Sequence, residues 1–190
     1  MKTTLKLKAV LFLLLAGGIY SCNQAGTKTA ASDTAKTAAT DTAKAKKPLA
    51  SPRDSVSGVV NGDSVTINYG SPSVKGRVIW GKLEPYGAVW RAGANEATTF
   101  TTTKDIMVEG KKLPKGKYGF FVIPTTAKWT VIFNSVPNQW GAFKYDSTKD
   151  VLRVKVMPQP HPLTERLVYT IDPAGFSLTW EKITLPLMIK

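Results

Sequence analysis

The sequence predicts an all-β fold, a single antiparallel sandwich of about nine or ten short strands, with jelly-roll-like or barrel-like closure as the alternative connectivity. Three observations carry this. From Ser51 onward apolar residues recur with period two, the spacing of a half-buried strand. Turn signals fall about every eight to twelve residues. No stretch offers the i, i+3, i+4 apolar stripe of an amphipathic helix.

The first hairpin is the clearest. Val56–Val60 and Ser64–Tyr69 flank Asn61-Gly62, the strongest short-range hairpin signal. With that pair as the turn, Val60 faces Asp63, Gly58 faces Val65 and Val56 faces Ile67, so the apolar residues of both strands share one face. Gly70–Gly76 reads as a loop, Arg77–Trp80 as a short strand, and Gly81–Gly87, interrupted by Pro85, as loop or a single helical turn. Thr98–Thr103 has strand composition around Phe100. Ile106 and Val108 lead into the turn Glu109-Gly110, and Leu113-Pro114-Lys115-Gly116 forms another.

Tyr118–Ile123 is apolar without alternation, as in a strand covered on both faces. Trp129, Val131 and Phe133 then share one face, and Leu152, Val154 and Val156 alternate with Arg153 and Lys155. Pro158, Pro160 and Pro162 predict a stiff loop around His161, followed by the alternating set Leu167, Tyr169 and Ile171. Phe176, Leu178 and Trp180 lie on even positions, but Ile183, Leu185, Leu187 and Ile189 on odd ones. A regular strand cannot switch faces, so a bulge is expected near Glu181 and Lys182. Pro186, without an amide donor, marks an edge.

Residues 1–21 read as a signal peptide: Lys2, Lys6 and Lys8 precede an apolar run from Ala9 to Ile19 that is too short to span a bilayer. Ile19-Tyr20-Ser21-Cys22 resembles a bacterial lipobox, although Ile19 and Tyr20 depart from its strictest form. Cys22 is the only cysteine and the expected lipid-attachment site. Diacylglycerol plus an N-acyl chain would exceed the two signals that stable anchoring requires. The expected address is therefore the membrane of the bacterial cell envelope, on the periplasmic face or outer-membrane surface. The alternative is an ordinary cleavage with Cys22 incidental. Residues 22–50 form an Ala/Thr/Lys linker in which DTAK occurs twice and nothing can offset the entropy of ordering. A flexible coil of that length has an end-to-end distance of about 30 Å. The domain is 51–190.

With Cys22 committed to lipid, disulfides and cysteine-based metal sites are excluded, and His161, the single histidine, would need carboxylates to complete a metal site. No metal or cofactor is expected. The chain carries a net charge of +13, of which +7 remains from Ser51 onward, where eighteen Lys and Arg stand against eleven Asp and Glu. Export argues against a nucleic-acid partner, and Lys111, Lys112, Lys115 and Lys117 collect around an evident turn.

Chemistry-bearing side chains concentrate between Arg77 and Thr103. Glu84 and Glu96 are the weak catalytic candidates, as a carboxylate pair for hydrolysis that requires about 5–10 Å between the groups; ion pairing with Arg77 and Arg91 is the structural alternative. Trp80, Tyr86, Trp90 and Trp140 would suit a sugar-stacking platform, with core packing as the alternative fate. Arg91, Asn95 and Glu96 complete the expected contact surface for a glycan, peptide or envelope protein. No phosphate loop, Gly-x-Ser-x-Gly or dinucleotide fingerprint occurs.

The segments SPRDSVSG from Ser51, INYGSPSVKGRVIWG from Ile67, PYGAVWRAGANEATTF from Pro85, KKLPKGKYGFFVIP from Lys111, WTVIFN from Trp129, QWGAFKYD from Gln139 and DVLRVKV from Asp150 together resemble the bacterial envelope family known as domain of unknown function 2911. The resemblance implies an exported, often lipid-anchored β-rich protein, and it carries no assigned catalytic residues. The leading expectation is a tethered binding or interaction module. A glycan- or ester-directed hydrolase and a purely structural envelope protein are the rivals.

Overall fold

A computed structural model describes residues 50–190. The expected signal peptide, Cys22 and all of the expected linker but Ala50 lie outside the described residues. Ten strands run in chain order: β1 (Arg53–Val60), β2 (Asp63–Gly70), β3 (Thr98–Thr102), β4 (Ile106–Val108), β5 (Lys111–Leu113), β6 (Gly116–Ile123), β7 (Trp129–Asn134), β8 (Asp150–Val156), β9 (Gln159–Asp172) and β10 (Gly175–Met188). Among the described residues a single 3-10 turn occurs, Ser147–Lys149, just before β8.

Six strands form one antiparallel sheet in the order β1-β2-β3-β6-β7-β8, and the long hairpin β9-β10 and the short hairpin β4-β5 form two further sheets. The two larger sheets face each other across one core, which makes the domain a sandwich. Ile67, Phe100, Phe120, Val131, Phe133 and Val154 point inward from the six-stranded sheet, against Leu167, Tyr169, Phe176, Leu178 and Trp180 of the long hairpin. Ring pairs bridge the layers: Tyr69 and Tyr169 stand 4.7 Å apart between centroids, and Phe100 and Phe176 5.2 Å. Such pairs add about 0.5–1.5 kcal/mol each beyond the area they bury.

The first hairpin adopts the expected register, with Val60 opposite Asp63, Gly58 opposite Val65 and Val56 opposite Ile67. Asn61 and Gly62 both take positive φ, 49° and 77°, as this turn requires. The parity change in β10 is also a bulge: its register against β9 shifts on both sides of Glu181, which sits at φ 56°. Strand β6 is covered on both faces. Phe120 and Val122 enter the main core, whereas Phe121 joins Ile132 and Ala97 in a second cluster on the sheet's outer face, roofed by Val89, Ala142 and Tyr145.

Two expectations are corrected. Arg77–Trp80 is not a strand; Ile79 accepts backbone bonds from Lys82 and Glu84 at 3.3 and 2.9 Å, which coil the segment into turns. The prolines around His161 do not make a loop either. Pro160 and Pro162 lie near the start of β9, with Pro160 opposite Ile183 where the pairing is already irregular, so its missing amide donor costs no regular ladder bond, and only Pro158 precedes the strand. His161 itself is exposed.

Asp63 is a buried carboxylate at the start of β2. It accepts from the Thr102 hydroxyl, from the Thr103 hydroxyl at 2.6 Å and from the Thr103 amide at 3.2 Å. Burial pushes its pKa up, but the bonds from Thr102 and Thr103 together with the Lys104 amide outweigh it and hold the carboxyl below its ordinary value. Its stabilising contribution is therefore present above the unfolded carboxyl's pKa and lost as pH falls through the lowered one. Asp63→Ala is expected to cost about 2 kcal/mol at neutral pH, the range of hydrogen bonds to a charged group, since it removes the carboxylate that accepts from Thr102 and Thr103. Urea denaturation at neutral and acid pH checks this: the difference from the parent should shrink as the parent's own carboxyl protonates.

Candidate functional site

The segment from Trp90 to Glu96 links the core to the surface. Trp90, only 3% exposed, is held by a reciprocal backbone pair with Val122, each bond 2.8 Å. Its ring packs with those of Trp80 at 5.5 Å and Trp180 at 5.8 Å, and Trp80 lies 4.6 Å from Trp129. Four of the five tryptophans thus form one aromatic cluster. The expected platform of Trp80, Tyr86, Trp90 and Trp140 is not assembled, because Trp90 is buried and Trp80 half-buried in that cluster. Only Tyr86 and Trp140 of the four are exposed.

Beyond Trp90 the backbone turns sharply, with Ala92 at φ 52° and Asn95 at φ 64°. The Ala92 carbonyl accepts from the Tyr169 hydroxyl at 2.8 Å and from Thr98 Oγ1 at 3.0 Å, and Asn95 Nδ2 donates to the Ser51 carbonyl at 3.0 Å. These bonds fix a conformation that a non-glycine residue rarely adopts. The segment then pairs with residues 139–141: Ala97 N donates to the Gln139 carbonyl at 2.9 Å, and Gly141 N to the Asn95 carbonyl at 3.0 Å. This short ladder sets Trp140 beside Glu96.

Trp140 is 60% exposed, and nearby Phe143 is 87% exposed. The loop that carries them crosses the outer face of the six-stranded sheet and is tied down beneath. Asn134 Nδ2 donates to the Asp146 carbonyl at 2.9 Å and to Asp150 Oδ1 at 2.8 Å, and the Tyr145 hydroxyl donates to Asp150 Oδ2 at 2.6 Å. Gly119 allows the loop to approach, since a Cβ there would stand 2.8 Å from the Val136 carbonyl oxygen.

Between loop and sheet lies a cleft of about 520 Å³. Its floor is the outward-facing polar row of Asn68, Thr99 and Lys117 on β2, β3 and β6; Arg53, Glu96, Gln139 and Trp140 form its walls. Glu96 pairs with Arg53 at 3.6 Å, not with Arg77 or Arg91 as expected. Thr99 Oγ1 and Gln139 Oε1 are buried without a partner in the protein, which is costly unless something else supplies the bond. Trp140 also walls a second depression of about 340 Å³ with Asn138, Gln139, Phe143 and Lys144.

Glu84 lines a different, smaller cleft of about 190 Å³, with Arg77, Arg91, Asn95 and Trp180. It closes no ion pair among the described residues, although ion pairing was its expected structural role. Burial pushes its carboxyl up to about 7, against the opposing pull of Arg91 and Arg77. The two glutamates therefore line separate clefts, neither of which contains both. Tyr86 stands outside both clefts, its ring over Gly81, where a Cβ would meet it at 2.9 Å. No cluster of three or more metal-ligating side chains occurs among the described residues.

Asn68, Thr99, Lys117 and Gln139 were not singled out by the sequence. The first three occupy the polar half of ordinary strand alternation, which reads as a solvated face. The only available signal was Trp140 and Phe143 in a stretch without period-two alternation.

A family model described as "Protein of unknown function (DUF2911)" matches residues 51–189. No curated protein matches the chain, and neither does any solved structure.

Proposed function

The chain belongs to the DUF2911 family, and we propose that this member is an envelope-tethered binding module whose outer-face cleft takes a polyhydroxylated ligand of the glycan class. In this reading Cys22 carries the lipid, residues 23–50 span the distance from the membrane, and the sandwich presents Trp140 outward. The observation that carries the proposal is the pairing of one exposed aromatic ring with two unpartnered buried polar atoms, Thr99 Oγ1 and Gln139 Oε1, at the same cleft. A sugar offers an apolar ring face to Trp140 and hydroxyls that both donate and accept. Arg53 and Glu96 pair across the wall, which leaves Lys117 on the floor as the one unbalanced charge at the cleft, a donor to which a sugar hydroxyl can also offer its lone pairs.

Titration with a panel of neutral oligosaccharides tests this by calorimetry and tryptophan emission. Trp140 is the one tryptophan outside the buried cluster, so a red-shifted component of the emission should respond. Trp140→Ala is expected to weaken binding about tenfold or more while shifting stability by no more than about 0.5 kcal/mol, as for an exposed side chain. Equal affinity in parent and variant, or no response to any glycan, would sink the proposal.

A hydrolase using Glu84 and Glu96 is the second reading. Only the raised carboxyl of Glu84 favours it, since a general acid works best with a pKa near the operating pH. Separate clefts give the two carboxylates no shared substrate, so any activity would rest on Glu84 alone. Glu84→Gln would then abolish hydrolysis, and Glu96→Gln would not.

A further inference from the structure

The Glu84 cleft contains more than a glutamate with an altered pKa, and it shares no lining residue with the Trp140 cleft. Arg77 is fixed along one side: its Nε donates to the Val74 carbonyl at 3.0 Å and its Nη2 to the Ser73 carbonyl at 2.5 Å. Arg91 also lines the cleft, and its buried Nε has no acceptor in the protein. Trp180, fully buried in the aromatic cluster, contributes to the lining as well, and its indole Nε1 likewise lacks an acceptor. Arg91 and Trp180, each with an orphan donor, and Arg77 thus line one small cleft whose only acid is Glu84. An unmet buried donor is costly, and more so when charged.

We propose that this cleft is a second binding site, for a small carboxylate whose oxygens accept from Arg91 and Trp180 and share a proton with Glu84. The charge balance selects the class. Arg77 and Arg91 leave two positive charges when Glu84 is protonated and one when it is ionised, so the cleft favours an anion in either state, and an acid whose own pKa lies near that of a glutamate is the one that can share the Glu84 proton. A carboxylate also matches the fork of a guanidinium. The volume of about 190 Å³ corresponds to roughly six water volumes, enough for a short-chain acid or the terminal residue of a peptide.

Glu84 makes the site pH-dependent. The titratable and charged groups facing the cleft are Arg77, Arg91 and Glu84, with no lysine or histidine among them. Of these, Glu84 is the group that burial pushes up to about 7, so its change of state sets the pH dependence. Protonated, it donates to the ligand; ionised, it repels it. Affinity is expected to rise about tenfold between about pH 8 and about pH 6, above the ligand's own pKa.

The test is a titration of the full chain, labelled with 15N, following the tryptophan indole and arginine Nε signals. The probes are acetate, propionate, and N-acetyl-dialanine with either a free or an amidated C-terminus, against sodium chloride at equal ionic strength. The Trp180 indole and Arg91 Nε signals are expected to move downfield with the carboxylates, while the Trp140 indole stays still. A response to the free acids alone assigns the site to small metabolite-like carboxylates. A stronger response to the free peptide than to its amide assigns it to chain termini.

Arg91→Met should abolish the shift, and the dispersion of the remaining spectrum reports whether that variant folds. Glu84→Gln, which keeps the shape of the side chain, should retain binding and flatten the pH profile. Equal shifts with chloride would mean an adventitious ion only and would overturn the proposal. So would an unmoved Trp180 indole at every pH, or a shift that persists in a folded Arg91→Met. None of these results bears on glycan binding at Trp140, so the two sites stand or fall separately.

Discussion

Gly70→Ala is expected to destabilise the domain by about 4 kcal/mol, placing it among the severe single substitutions. A Cβ on Gly70 would lie 2.0 Å from the Ala94 carbonyl oxygen, 2.8 Å from its carbon and 3.1 Å from its nitrogen. These are backbone atoms, so no side-chain rotation relieves the clash. Ala94 cannot retreat alone either. Its amide donates to the Gly70 carbonyl at 3.2 Å, and two residues earlier the Ala92 carbonyl is tied to Tyr169 and Thr98. Overpacking alone costs about 1–3 kcal/mol, and displacing this segment adds buried bonds worth about 0.5–1.5 kcal/mol each.

The effect should also reach the surface, because Asn95 and Ala97 hold residues 139–141 in place. Urea denaturation should show a lower midpoint for Gly70→Ala, and the emission of Trp140 should lose its native environment before the buried cluster unfolds. A midpoint equal to the parent's would mean that the Ala92–Asn95 segment yields without cost, contrary to the bonding that surrounds it.

What the sequence made legible is what depends on neighbours along the chain. Asn61-Gly62 has only one good way to turn a hairpin, so the register of β1 against β2 could be counted out residue by residue. The parity change between Trp180 and Ile183 demanded a bulge because side chains alternate with period two. Tyr118–Ile123 signalled two covered faces by composition alone, although not what covered the second one. Most of that cover is the loop bearing Trp140, with Val89 beside it, and no local pattern in residues 135–149 indicates where the loop will lie. The same gap explains the tryptophans. Trp80 closes a stretch that reads as a short strand and Trp90 follows a Gly- and Pro-rich loop, but the turns that carry them bring an aromatic ring into a core as well as a strand can. The outer-face row Asn68, Thr99 and Lys117 looked like any solvated half of a strand until a distant segment roofed it. Glu84 and Glu96, only twelve positions apart, look like partners in sequence, and yet the sharp turn at Ala92–Asn95 sends them to separate clefts.

Glu84→Gln is expected to raise the stability of the domain at alkaline pH by on the order of 3 kcal/mol and to leave it almost unchanged near pH 4. The sign follows from proton binding. The folded carboxyl titrates at about 7 and the unfolded one near 4.5, so between those values the native state holds the proton that the unfolded state has released. The parent must then lose stability as pH rises through this window, and level off above it. Glutamine has the same shape and no charge to desolvate, so its curve should lack that descent. Urea is the denaturant of choice, because guanidinium would screen the interaction with Arg77 and Arg91. Asp63 works in the opposite direction at lower pH, where its protonation releases the bonds from Thr102 and Thr103, so the parent should be most stable in mildly acid solution, between the two transitions. A carboxyl that weakens the fold at neutral pH, beside donors with no acceptor, is explained by a ligand that needs all three groups more readily than by packing, for which a glutamine would serve better. If parent and variant instead follow parallel curves, Glu84 titrates as an ordinary surface acid. The cleft would then be wetter than its side chains imply, and both the carboxylate site and the hydrolase reading would lose the proton on which they depend.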